Sequence, residues 1–142
     1  EQLSLSYLFI SHNLAVIEHV SDMVAVMYVG RLVELAPTSS LFHFPKHPYT
    51  EALLRAIPRP DPNRVRRVPV AGEIPSPANP PSGCHFHTRC PYVQPICNAE
   101  VPPLREIQPG HFAACHFGET LTLDGVEAVR VSAGESGSST AS

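Results

Sequence analysis

A chain of 142 residues has room for one ordinary domain or two small pieces, and its net charge of −3 gives no electrostatic case for nucleic acid or an anionic membrane as partner. No run of about 18 apolar residues is present, so the sequence offers no candidate membrane-spanning helix. The opening Glu1-Gln2-Leu3-Ser4 has neither the basic region nor the cleavage pattern of a signal peptide. The chain lacks an initiator Met and enters an apolar segment almost at once, which reads as the C-terminal part of something longer.

Leu5 to Ser11 is a nearly continuous apolar run with aromatic and β-branched members, the pattern of a strand buried on both faces of a parallel sheet. His12-Asn13 ends it. Leu14 to Val20 follows with apolar residues at helical spacing, and Asn13 suits the N-cap. Met23 to Val29 reads as a second strand and Leu32 to Leu35 as a third, with Gly30 supplying the hairpin turn between them. Thr38 is placed to cap a short helix that Pro45 stops. His47-Pro48-Tyr49-Thr50 opens another, with Pro48 at the tolerated first position and Tyr49, Leu53, Ala56 and Ile57 on one face. These two helices are expected to form a small annex packed on the sheet edge.

From Pro58 to Pro109 the chain holds 13 of its 16 prolines and shows no convincing periodic element. Such a segment cannot offset its ordering entropy with an apolar core, so a staple is expected. The staple available is Cys84, Cys90, Cys97 and Cys115, spaced C-x5-C-x6-C-x17-C. With no export signal, clustered cysteines point to metal rather than to disulfides. Four thiolates suit zinc or an iron–sulfur cluster, but this spacing is that of neither a zinc finger nor a ferredoxin, so the residues alone leave the metal open. His85, His87, His111 and His116 are candidates to replace a cysteine or to support the ligands from behind. After Phe117 the sequence becomes acidic and small, and residues 118–142 are expected to be disordered.

His12 sits where open α/β sheets bind ligands, at the C-terminal end of a strand. An imidazole there can donate to a phosphate oxygen or orient a water, or it can simply cap the strand end.

The string Tyr7-Leu8-Phe9-Ile10-Ser11-His12-Asn13-Leu14-Ala15-Val16-Ile17, with Ser21 to Glu34 after it, closely resembles the switch-histidine loop and following strands of ATP-binding subunits of ABC transporters. His47-Pro48-Tyr49-Thr50-Glu51-Ala52-Leu53-Leu54 is similar to the C-terminal extension of the oligopeptide/dipeptide importer branch. Gly83 to Pro91, Cys97 and Ala114-Cys115-His116 resemble that branch's cysteine motif. The resemblance implies an α/β fold in three parts. Residues 1–36 would end an ABC-type nucleotide-binding domain with a strand, a short helix and a hairpin. Residues 37–117 would form the helical and proline-rich, metal-stapled extension, and residues 118–142 the tail.

The same resemblance implies that His12 is the switch histidine, a catalytic and cofactor-binding residue that contacts the γ-phosphate of ATP held with Mg²⁺. It also implies a 4Fe–4S cluster on Cys84, Cys90, Cys97 and Cys115, with zinc as the alternative and a structural role ahead of redox sensing. The implied partners are a second nucleotide-binding subunit, identical or paralogous, and the permease subunits of a peptide importer. The implied location is the cytoplasmic face of the plasma membrane. The family has Asp where Asn13 stands. The chain carries no G-x-x-x-x-G-K-Ser/Thr loop, no Leu-Ser-Gly-Gly-Gln signature and no Walker B strand ending in Asp-Glu, so it is expected not to hydrolyse ATP alone. The competing expectation is a free-standing metal-binding module that regulates or docks a partner without enzymatic activity.

Overall fold

The computed structural model describes residues 3–57 and 72–125. Its elements in chain order are α1 (Leu14–Val20), β1 (Met23–Tyr28), β2 (Arg31–Pro37), α2 (Thr38–His43), α3 (Pro48–Arg55), α4 (Pro95–Ala99), β3 (Arg105–Gln108) and β4 (His111–Ala113). The strands form one antiparallel sheet in the order β1-β2-β4-β3.

The β1–β2 hairpin follows from local chemistry. Strict alternation along β1 buries Val24, Val26 and Tyr28 and exposes Met23, Ala25 and Met27. Val29 and Gly30 close the hairpin at φ +44° and +77°, the two positive values that a two-residue type I′ turn requires. A register shift between Val26 and Met27 leaves Val33 as an extra residue on β2, so Val33 and Glu34 are buried in succession. Val24, Val26, Tyr28, Val33 and Ala36 then pack with Leu41 and Phe42 of α2, with Leu54 and Ile57 at the end of α3, and with Phe86.

Four sequence expectations need correction. Leu5–Ser11 is not a sheet strand: residues 3–12 are exposed, Leu8 at 89% and Ile10 at 94%, because no described strand pairs with them. Thr38 does not cap α2. Pro37 holds that position, and the Thr38 hydroxyl instead donates to the Ser21 carbonyl at 2.6 Å. The buried residues of α3 are Pro48, Thr50, Glu51 and Leu54, with Tyr49 and Leu53 only half-buried, because the Glu51 carboxylate is drawn inward by partners distant in sequence. The proline-rich stretch does contain regular structure, namely α4 and β3, and β4 follows it. β4 pairs Ala113 with Glu34 and Phe112 with Leu35, so the extension shares the hairpin's sheet across the expected boundary at residue 36.

The segment expected to be disordered from residue 118 is packed as far as Gly125: Leu123 is buried, and the Asp124 N–H donates to Glu51 at 2.9 Å. The remainder of that segment, like residues 58–71, lies outside the described residues. Among the described residues no helix is long and apolar enough to cross a membrane.

Candidate functional site

Two buried carboxylates fasten the extension to the hairpin and to α3. Glu34, fully buried, accepts from the backbone N–H of Lys46 at 2.8 Å, the backbone N–H of His47 at 3.1 Å and His111 Nε2 at 2.5 Å. It therefore joins β2, the entry to α3 and β4. Glu51 accepts from the Tyr92 hydroxyl at 2.8 Å and the Asp124 N–H at 2.9 Å, and pairs with Arg55 at 2.9 Å. Most buried polar groups are partnered in this way.

On this frame sits the cysteine loop. Phe86, between the first two cysteines, is 1% exposed and inserts among Tyr28 and Tyr49, with ring centroids 5.2 and 5.4 Å away. Edge-to-face packing of this kind fixes the ring's orientation as well as its depth. Gly83 has φ +66°, and a Cβ there would lie 2.3 Å from the Cys97 carbonyl oxygen. That close approach lets the Cys84 N–H donate to the same oxygen at 2.8 Å.

The result is that Cys84, Cys90, Cys97 and Cys115 all line one cavity, together with His47, His87, His116, Phe86, Tyr92 and Phe117. All four thiols are free. Burial pushes the Cys84 thiol up, Cys90 up to about 12 and Cys115 up to about 11, and the neighbouring cysteines add to each rise. The raised Cys84, Cys90 and Cys115 thiols are therefore protonated near pH 7, and a metal binding there would displace their protons. Among the described residues no group of three or more His, Cys, Asp or Glu is arranged to hold a metal ion as it stands.

The histidines divide by partner. His87 lines the cavity and donates Nδ1–H to the Cys84 carbonyl at 2.8 Å; His116 lines it and donates Nε2–H to the Glu100 carbonyl at 2.9 Å. His85 turns away to the Val29 carbonyl at 3.0 Å, and His111 is engaged by Glu34. His47, which sequence reasoning treated only as a helix opener, is the N-cap of α3: its Nδ1 accepts the Tyr49 N–H at 3.0 Å. Burial pushes it down to about 3. The sequence signal for it was a histidine directly before the Pro that begins the helix.

His12 stands apart. It is exposed and is not among the residues lining the cysteine cavity. Asn13 caps α1 as expected, its side chain accepting from the Val16 N–H at 3.4 Å.

Residues 33–97 match the family described as oligopeptide/dipeptide transporter, C-terminal region. The chain is 56% identical over 117 residues to a probable peptide ABC transporter ATP-binding protein of Sinorhizobium fredii, covering 82% of this chain and 33% of that protein. It is 56% identical over 116 residues to a putative peptide import ATP-binding protein of Brucella ovis, covering 81% and 37%. An oligopeptide transport ATP-binding protein of Bacillus subtilis is 50% identical over 120 residues, covering 82% and 36%. The chain thus spans about a third of the length of the curated relatives it matches. Residues 33–97 thus match the oligopeptide/dipeptide transporter C-terminal region, and most of the chain is similar to the ATP-binding proteins of peptide ABC transporters.

Proposed function

We propose that this chain is part of the ATP-binding subunit of a peptide ABC importer, contributing His12 to the nucleotide site and a 4Fe–4S cluster site formed by Cys84, Cys90, Cys97 and Cys115. The observation that carries the cysteine site is the convergence of four unbridged thiols, from three separated stretches, on one cavity. A single zinc ion needs its sulfurs drawn in to about 2.3 Å from one point. A cluster interposes its own iron and sulfide, so its four ligands stand farther apart. Four thiols on one cavity supply the donor number such a cluster takes. When bound, such a group supplies iron–thiolate bonds that tie the loop at Cys84, helix α4 and the strand end at Cys115 together.

This chain's own residues do the rest. Gly83 admits the Cys97 carbonyl, Phe86 anchors the loop in the core, and Glu34 and Glu51 hold the cavity wall. His12, exposed ahead of a capped helix, is accessible to a nucleotide phosphate presented by other elements. There it would stabilise charge on the phosphate oxygens, the main requirement of phosphoryl transfer. ATP with Mg²⁺ would be held mainly by motifs this chain does not carry. The partners in this reading are a second nucleotide-binding subunit and the permease subunits, which place the protein at the cytoplasmic face of the plasma membrane.

Anaerobic purification followed by absorption spectroscopy and iron, sulfide and zinc analysis tests the cysteine site. Broad visible absorption with about four irons and four sulfides per chain is expected; a colourless chain with one zinc overturns it. In an intact ATP-binding subunit carrying this segment, His12→Ala is expected to lower kcat for ATP hydrolysis by about 100-fold while ATP binding persists. Unchanged turnover would sink that role.

A further inference from the structure

His47 is 1% exposed, and its backbone is fixed by the N–H bond to Glu34 at 3.1 Å. Its Nδ1 accepts the Tyr49 N–H, so the ring proton resides on Nε2. That Nε2 is buried without a hydrogen-bond partner in the protein, and the residue lines the cavity shared by the four cysteines. An unmet buried donor is destabilising, and an acceptor in the cavity would remove that cost.

The other cavity histidines do not compete for this task. In its neutral form His87 directs its proton to the Cys84 carbonyl, and His116 directs its proton to the Glu100 carbonyl, leaving each with a bare lone pair. His47 alone among the three brings a proton that no protein atom accepts.

We propose that His47 donates its Nε2–H to a sulfur of the cluster in the cysteine cavity and thereby raises the cluster's reduction potential; this rests on the cluster reading above. Hydrogen bonds to the sulfurs are a recognised control on such potentials, because they stabilise the more negative, reduced form. His47 is thus a positioning and tuning residue rather than a ligand.

The test is a mediated redox titration of the full chain reconstituted anaerobically with ferrous iron and sulfide. His47→Asn retains an acceptor for the Tyr49 N–H, and its shorter amide withdraws the donor from the Nε2 position. His47→Gln places an amide donor near the Nε2 position. The expected result is a tenfold weaker reduction equilibrium in His47→Asn, a fall of about 59 mV for one electron, with recovery toward wild type in His47→Gln. An unchanged potential in His47→Asn at wild-type iron and sulfide content overturns the proposal while leaving the cluster intact. Absence of a cluster in the wild type removes the reading beneath it, and the proposal falls with it. Should His47→Asn fail to fold, pulsed EPR of the reduced wild-type cluster in ¹⁵N-histidine-labelled protein decides, with His47→Gln as the unlabelled-site control. A weak non-ligand imidazole coupling, lost in that variant, is expected, and no coupling overturns the proposal.

Discussion

His111 Nε2 lies 2.5 Å from Glu34 Oε1, with neither side chain more than 2% exposed. This one contact joins strand β4, from the far side of the proline-rich stretch, to the hairpin strand β2. Glu34 also accepts two backbone N–H groups, whereas His111 bonds through Nε2 to Glu34. Removal of the two residues should therefore be unequal. Glu34→Leu is expected to cost about 3–5 kcal/mol, and His111→Phe about 1–3 kcal/mol less than that, because it strands no backbone donor. Urea unfolding of the two variants measures the difference; equal losses would show that the backbone bonds to Glu34 contribute nothing.

Gly83 is the tightest backbone approach at the cysteine loop. A methyl group there meets the Cys97 carbonyl at 2.3 Å and the Asn98 carbonyl at 2.7 Å, on a backbone with φ +66°. Left-handed strain alone costs about 1–2 kcal/mol, and the displaced carbonyl adds to it. Gly83→Ala is expected to lower the thermal midpoint and to reduce iron bound per chain by more than half. Wild-type iron content in the variant would remove the link between this glycine and the site.

Val29 is a β-branched residue at φ +44°, where such side chains are strained. Asn adopts this conformation readily and precedes Gly in the favoured type I′ turn. Val29→Asn is expected to stabilise the protein by about 0.5–1 kcal/mol, the relief of strain exceeding the loss of a half-buried apolar contact. A drop in the chemical-denaturation midpoint would show that the Val29 packing outweighs the turn.

Metal-free protein should lose stability as the solution is acidified. Burial holds His47 at about 3, below its unfolded value near 6.5. The unfolded chain therefore takes up this proton first. The stabilising contribution is complete above about pH 6.5 and is lost as pH falls toward 3. Glu34, bonded to the His47 backbone, and the cysteines of the shared cavity are also near this residue, so the comparison must be made within a pair of proteins. His47→Gln is expected to flatten the fall in urea midpoint between pH 6.5 and 4. Parallel curves for the two proteins would assign the acid sensitivity elsewhere.

Much of this fold was legible locally. The alternation Val24-Ala25-Val26, the turn at Gly30, the Asn13 cap and the Pro48 helix start each depend on contacts within a few residues, and local chemistry decides them. The four cysteines also stand out as a set by composition alone. The run Leu5–Ser11 misled, because its apolar pattern says only that it needs covering, and no described strand covers it. The pairing of β4 with β2 was hidden for a different reason. Three residues, His111 to Ala113, are too few to show a period, and their partner lies more than 75 positions away.

The sequence by itself determined the hairpin, the starts of α1 and α3, the candidate His12 and the identity of the four thiols. Tertiary structure alone decided that those thiols line one cavity, that Glu34 and Glu51 are buried hubs rather than surface charges, and that His47, another residue of that cavity, is left with an unpartnered Nε2. The physical reason is that a buried carboxylate or imidazole is defined by its partners, and here those partners come from segments 12 to 77 residues apart. No local pattern encodes such distances; they exist only once the chain has closed on itself.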